Sequence, residues 1–512
     1  MKISRYWIVF IICAVAWIIA SLSLAPSLSG IDVWAFRDAG WNLASTGSFE
    51  SLVATNTGGA TPKLYSSYTP IMPLLFAGYA SILPRNAYAG TIFNLLIGLT
   101  AAAVMLGWVI RQPQNSSIVR SYAALAVAIL PVIFVTFDRP EAIGLILFSI
   151  PVFLSADANA SPIFVGIFVA LTFLGHPFSG IAAGIWASAL VLSRNWHFPG
   201  RWLLSLREVM ITGMGAIAVL IAVALAYYSL DHNSLARFLA HALGISSGLG
   251  PVMALTSGKD FLRDILDAAA LHQDVPETLA YFLSLVSSLL LVSWCAVYRK
   301  ELRNEDWISV CAGLACTAIA VFLFPRQGHY LFCTTSLVPL GLLAVGKTGS
   351  KMSTVGLLLL LFGMFIRLPA FFIDIVQRSE QRSSYEASLQ QPSFLLAHLQ
   401  TPDALVAVEG DDYDLFKPQF QNLFHLGWFH YSNRLTKPAA IANCYDAFHG
   451  PDTAVRPLPS QLDPSEFHMI QAVPQHLWIT ILGHRVMRGQ WGYGCDLYVR
   501  NGADNGIQAP LN

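Results

Sequence analysis

"YTPIMPLLFAGYASILP", residues 68–84, decides how this chain is threaded. It is apolar enough to pass for a membrane span, yet Pro70, Pro73 and Pro84 bracket it. A span needs about 20 apolar residues, and the prolines leave a run of about 10–14, the length of an interfacial or re-entrant helix. The stretch is therefore expected not to cross.

On either side of it the chain is short of charge. Of its 512 residues 55% are hydrophobic and 12% charged, against about 25% charged in an ordinary soluble domain. The deficit falls in residues 1–371, where runs such as "YWIVFIICAVAWIIASLSLA" (6–25) and "VGLLLLLFGMF" (355–365) alternate with short polar links. Windows of about 17–25 apolar residues place spans near 6–25, 87–110, 119–137, 141–156, 161–175, 178–193, 209–229, 278–297, 307–324, 330–346 and 353–371. The first is longer than a signal-peptide core of about 7–15 residues, so it is expected to stay as a helix. The expected fold is an α-helical polytopic membrane protein of about eleven spans, with a soluble C-terminal α/β domain. Residues 1–371 form the transmembrane module with long loops at 26–86 and 230–277, 372–391 a polar linker, and 392–512 the soluble domain. In that domain "SFLLAHL" has a helical pattern, and "ALVAVEG", "LWITILG" and "DLYVRN" read as strands.

Positive charge assigns the sides. With 68–84 not crossing, the loops holding Arg111 and Arg120, Arg194, Arg201 and Arg207, Arg299, Lys300 and Arg303, and Lys347 and Lys351 share the side of Lys2 and Arg5. Lys/Arg-rich loops are cytoplasmic. The N-terminus is then cytoplasmic, and loops 26–86 and 230–277 and the tail face outward, in an inner or plasma membrane. Five cysteines lie in or beside spans; Cys444 and Cys495 are the two in the tail, where an oxidising compartment favours a disulfide between them. Net charge is zero, which points to no nucleic-acid partner.

Ionisable groups in a bilayer cost about 2.5–3.5 kcal/mol each at mid-helix, and here they gather at outward helix ends instead. Asp32, Arg37 and Asp38 follow the first span; "FDRPE" supplies Asp138, Arg139 and Glu141; "GHPFSG" supplies His176; "FPRQGHY" supplies Arg326, His329 and Tyr330. Each has a plain structural use, since helix ends need polar caps and arginine snorkels. Four such turns on one side describe a polar cleft at the outer surface. A helix over "VWAFRDAGWNLAS" sets Trp34, Asp38 and Trp41 on one face and Phe36, Gly40 and Leu43 on another, an amphipathic helix lying at the interface with Asp32 at or beside its N-cap.

The order of these motifs resembles membrane glycosyltransferases of the GT-C superfamily, in particular protein O-mannosyltransferases and lipid A aminoarabinose transferases. Those begin with one span and an outward motif of Asp-x-x-x-Tyr, then Ala, Leu, and Gly followed by an aromatic. Here Asp32, Phe36, Ala39, Leu43, Gly47 and Phe49 hold that register, with Phe36 in place of the tyrosine and Asp38 where relatives carry a second acid. "YTPIMP", opening on Tyr68, is similar to the family's Tyr/His-Pro-Pro segment, and "RPE" to its Arg-acid pair before the fourth span. The resemblance covers about the first 160 residues and the plan of many spans with an outward tail.

It implies an inverting transfer of a sugar from a polyprenyl-phosphate carrier to a hydroxyl of a glycan, lipid or protein. Asp32 would be the base, with Asp38 beside it; Arg326, Arg139, Lys63 and Arg37 would hold the donor phosphate; and Asp38, Glu141 and His176 would be ligands for a divalent cation, if the reaction uses one. Three other readings compete, one of them a non-catalytic assembly subunit. A transporter or flippase of lipid-linked glycans would show inverted repeats and charges at mid-depth, and neither is seen. An O-antigen ligase or polymerase would use Arg and His in a large late loop, for which Arg237 and His241 qualify.

The threading has a direct test. Reporter fusions at Lys351 and at Leu511 should register on opposite sides of the membrane, Lys351 inside and Leu511 outside, and agreement between them would overturn this topology.

Overall fold

The computed structural model describes residues 5–26, 31–51, 63–65, 70–83, 86–110, 141–157, 159–194, 202–231, 235, 277–323, 332–345, 352–408, 412–426, 437–444, 458, 462–472, 478–481, 484–487 and 493–502. Its first helices are α1 (Arg5–Ser23), α2 (Ile31–Thr46), α3 (Ile71–Ile82) and α4 (Ala89–Ile110). Then come α5 (Glu141–Ser155), α6 (Pro162–Gly175), α7 (Pro177–Arg194), α8 (Trp202–Leu230), α9 (Glu277–Val297) and α10 (Asn304–Leu323). A π-helical turn, Cys333–Leu337, leads into α11 (Val338–Val345), followed by α12 (Met352–Glu380).

Every expected span coincides with a helix except 119–137, which lies outside the described residues. Among the described residues, α1, α4 and α8 are long and apolar enough to cross a membrane. The count of about eleven spans is therefore not reproduced by length and composition alone; α5 and α6, for example, are apolar but shorter. The outward residues of α1 (Ile8, Ile12, Val15, Ile19) and α8 (Met210, Met214, Ile217, Ile221, Leu225) are exposed and apolar. Lipid solvates such a surface and water does not, so this is a membrane protein. Helix α3 has 12 residues, about 18 Å at 1.5 Å per residue, well short of a hydrocarbon core of about 30 Å.

The chain divides into two units, residues 1–17 with 95–371 and residues 18–94 with 372–512. The first is the helical bundle, its core built from side chains such as Phe148, Trp186, Leu340 and Leu357. The second joins the segment after the first span to the tail, so the tail is not a module of 392–512 alone. Nor is 372–391 a linker. Helix α12 runs on to Glu380, and α13 (Arg382–Ser388) and α14 (Gln391–Leu399) follow almost without a break. Part of its polar set turns inward: Arg378, Gln381, Ser384, Ser388 and Gln391 are all buried. Arg378 Nε donates to Ala25 O (2.7 Å) and its Nη2 to Ser21 O (2.9 Å), satisfying carbonyls at the end of α1.

The tail sheet contains β3 (Val406–Val408), β4 (Leu423–His425), β5 (Ala440–Asn443), β6 (Phe467–Ala472) and, later in the chain, β9 (Asp496–Arg500). Its strand order is β4-β3-β5-β9-β6. β3 lies parallel to β4 and β5, whereas β9 is antiparallel to β5 and β6. Strands β3 and β5 are buried at every position, the pattern of a sheet covered on both faces. A one-turn helix, α15 (Tyr413–Phe416), lies between β3 and β4, and β7 (Trp478–Ile481) pairs with β8 (His484–Met487) as a hairpin. A small ladder near the N-terminus joins β1 (Glu50–Ser51) to β2 (Lys63–Leu64).

Cys444 and Cys495 are bonded in this structure. The sheet explains how they meet: Asn443 and Asp496 are register partners, so the two cysteines are the next step along the same antiparallel ladder. Denatured without reductant, the protein should leave these two thiols unalkylated while Cys13, Cys295, Cys311, Cys316 and Cys333 take label. Labelling of Cys444 and Cys495 under those conditions would remove the bridge.

Candidate functional site

Helix α2 carries the acidic motif. It ends at Gly47, whose φ of +77° is open to glycine at little cost, and whose N–H donates to Leu43 O (3.1 Å) as a C-terminal cap. Beyond it Phe49 packs edge-on against Tyr65, ring centroids 5.5 Å apart.

The middle of α2 differs from the expected interfacial helix. Arg37, Asp38, Ala39, Gly40 and Trp41 are consecutive and all buried. Five residues exceed one turn of about 3.6, so the helix is enclosed on every side there and has no wet face. One side is α3, which approaches so closely that a Cβ on Gly40 would lie 2.5 Å from Pro73 O. Trp41 meets Phe76 edge-on at 5.4 Å.

The other enclosing group is the tail. Asp38, 1% exposed, is ringed by donors. Lys417 Nζ lies 2.8 Å from Oδ1, and the Tyr413 hydroxyl donates to the same oxygen. Ser51 Oγ donates to Oδ2 at 2.6 Å, and Asn42 Nδ2 reaches that oxygen at 3.5 Å. Lys417 also donates to Gln421 O at 2.7 Å. Next to it Arg37, also 1% exposed, sets Nη1 2.8 Å from Asp414 Oδ2. Burial pushes the Asp414 carboxyl above the usual range, and the guanidinium of Arg37 draws it back. Burial, with the charge of Asp38 added to it, pushes the Tyr413 phenol well up, so it stays a hydroxyl and a donor.

Asp32 is the second residue of α2, six positions before Asp38, or about 9 Å along the axis. Lys63 is in β2, register partner of the same Ser51 that donates to Asp38. In the helical bundle, Glu141 opens α5 and is buried. Gly144, one turn on, packs against His176 and Ser179. His176 is buried between α6 and α7, with Nδ1 2.7 Å from Ser179 Oγ and accepting from the Ser179 backbone N–H at 3.3 Å. That is a cap for the start of α7. Asp138, Arg139, Tyr68, Arg326, His329, Tyr330, Arg237 and His241 lie outside the described residues. Among the described residues, the group of three ligand atoms close enough to share a metal ion is Asp412, Cys444 and Cys495, and its two sulfurs are bonded to each other. Asp38 belongs to one unit, and Glu141 and His176 to the other.

Tyr413, Asp414 and Lys417 were not singled out from the sequence. "DDYDLFK" (411–417) does crowd three acids and a lysine into seven residues. Nothing local, however, ties it to a partner 375 residues away.

No family model matches this chain, and no curated protein matches it. Among solved structures it is similar to the archaeal oligosaccharyltransferase AglB of Archaeoglobus fulgidus in complex with an inhibitory peptide and a dolichol-phosphate. The identity is 13%, over 82% of this chain and 64% of that one, with a TM-score of 0.41. It is similar also to the apo form of the Archaeoglobus fulgidus oligosaccharyltransferase, at 13% identity, 83% and 64% coverage and a TM-score of 0.40. The chain thus spans about 64% of the length of the structures it matches.

The packing of α2 on α3 has a test with an internal control. Gly40→Ala drives a methyl against the Pro73 carbonyl and should cost about 1–3 kcal/mol as an overpacked contact. Gly78→Ala, in α3, meets nothing within 4 Å and should be neutral or slightly stabilising. Thermal melts of the two variants in one detergent should separate them clearly.

Proposed function

We propose that this chain is an inverting glycosyltransferase of GT-C type, moving a sugar from a polyprenyl-phosphate carrier to a hydroxyl of a glycan, lipid or protein on the outer face of the membrane. One observation carries the reading: the motif from Asp32 to Thr46 is a single helix that follows a span-length apolar helix, and the middle of that helix is held by buried ion pairs. A base that must meet an acceptor hydroxyl at a membrane surface needs such a fixed carrier.

In the proposed reaction the acceptor oxygen attacks the anomeric carbon and its proton passes to the Asp32 carboxylate. The new C–O bond forms as the bond from that carbon to the carrier phosphate breaks, and the electron pair leaves with the phosphate. Arg139, Arg326 and Lys63 are assigned to the charge that grows there. Asp38 and Arg37 are taken out of the reacting set. Each is 1% exposed, and both oxygens of Asp38 already accept from protein donors, which leaves an acceptor hydroxyl no access to it.

Asp32→Asn keeps the size and the capping ability of the side chain and removes only its capacity to take a proton. Turnover on a lipid-linked sugar should fall by about 10²–10⁴, with an unchanged melting curve. A variant keeping more than about a tenth of the wild-type rate would end the general-base assignment. Arg326→Ala should also lower turnover, through weaker stabilisation of the departing phosphate.

A further inference from the structure

The segment bearing Asp32 is tied to the tail on both sides. Upstream, Ala25 O accepts from Arg378 Nε at 2.7 Å, and the Ala25 N–H donates to Arg378 O at 3.2 Å. Pro26 O accepts from the Tyr493 hydroxyl at 3.1 Å, and Leu24 O from the Tyr88 hydroxyl at 2.9 Å, which in turn accepts from Arg382 Nη1 at 2.8 Å. Downstream, Arg37 and Asp38 enter the pairs with Asp414 and Lys417. Asp32 lies in the window between Pro26 and Arg37, and both edges of that window are fastened to residues after 377.

We propose that Asp38, Tyr413, Asp414 and Lys417 are positioning residues: a buried clamp through which the tail fixes α2, and so the location of Asp32. This inference rests on the transferase reading above. It gives the tail a part in catalysis that requires no contact with donor or acceptor. It also gives the two acids of the motif different roles, since Asp32 takes the proton and Asp38 holds the helix that carries Asp32. A misplacement of about 1 Å at a reacting group lowers rate by up to about 10²-fold, so loosening the clamp should be read in kcat.

Three variants of the full-length, detergent-extracted protein test it. Tyr413→Phe deletes one hydroxyl and leaves Asp38 its lysine. Lys417→Met removes the cation. The double variant Asp38→Asn with Lys417→Met removes both charges and leaves neither one stranded, so it remains informative should Lys417→Met fail to fold. Hydrogen exchange over residues 31–46 reads the hold on α2, with β5 and β9 as the internal reference. Steady-state transfer from a panel of polyprenyl-phosphate sugars reads the consequence.

The expected result for Tyr413→Phe and the double variant is at least tenfold faster exchange in 31–46 with the reference strands unchanged. With it, kcat should fall about tenfold or more while donor KM stays within twofold. Lys417→Arg, which keeps the cation, should retain most of the wild-type kcat. Unchanged exchange in 31–46 would overturn the clamp, and faster exchange with unchanged kcat would overturn its positioning role. Wild-type protein that transfers no sugar from any donor would remove the transferase reading and the positioning role with it; exchange alone would then show whether α2 is anchored by the tail. The two failures are thus told apart.

Discussion

A carboxylate with 1% of its surface exposed has lost nearly all its water, and the loss costs several kcal/mol unless protein groups replace it. For Asp38 they do. Asn42 and Ser51 come from the same stretch of chain, and Lys417 and Tyr413 from the tail. Neither pair alone is enough, because the local donors are neutral and the tail lysine would itself be stranded without the acid. Next to it Arg37 forms a second buried ion pair with the tail, to Asp414. Helix α2, the β1–β2 ladder and the turn after β3 therefore form together, although Asp38 and Tyr413 are 375 residues apart.

The constraint propagates outward from that centre. With residues 37 and 38 fixed, Gly40 meets Pro73 and Trp41 meets Phe76, and this sets α3 against α2. Phe76 in turn packs edge-on against Phe93 of α4 at 5.1 Å. At the other end, Arg378 supplies a cation to the carbonyls that finish α1, where the helix dipole favours positive charge. The aromatic contacts and the arginine cap are ordinary packing. The charge pairs give them one register.

Much of this is legible in the sequence, and what is not shares a cause. Apolar windows locate the helices because burial in lipid depends on local composition, and the prolines around 68–84 mark a short helix because they act within a turn. The thiols of the tail are a matter of two candidates. The polar run 372–391 misleads, since polarity suggests solvent contact; Arg378 and Gln391 are polar because they serve buried backbone groups, Gln391 donating to Cys495 O at 2.7 Å. Asp38 misleads in the same way. Helical spacing puts it on a face beside Trp41, and a face says nothing of what packs there. Its partners come from a turn hundreds of residues later, and one sequence holds no signal for a pairing at that range. His176 falls between: its place at a helix junction is legible, its burial and its cap on Ser179 are not.

There remains the choice of charge where apolar packing would have served. Buried ion pairs are seldom more stabilising than well-packed apolar residues of similar size, so stability alone does not account for Arg37 and Asp38. Helix α2 is the next helix after one that is apolar and long enough to span a bilayer, and Arg37 and Asp38 stand in the middle of the mostly apolar "WAFRDAGWNLA" within it. An arginine or aspartate in hydrocarbon costs about 2.5–3.5 kcal/mol. The two charges thus oppose insertion of α2, and the tail supplies an opposite charge to each. In the proposed reaction Asp32 is the base, and a carrier helix fixed in this way is what a base acting on a lipid-linked donor requires.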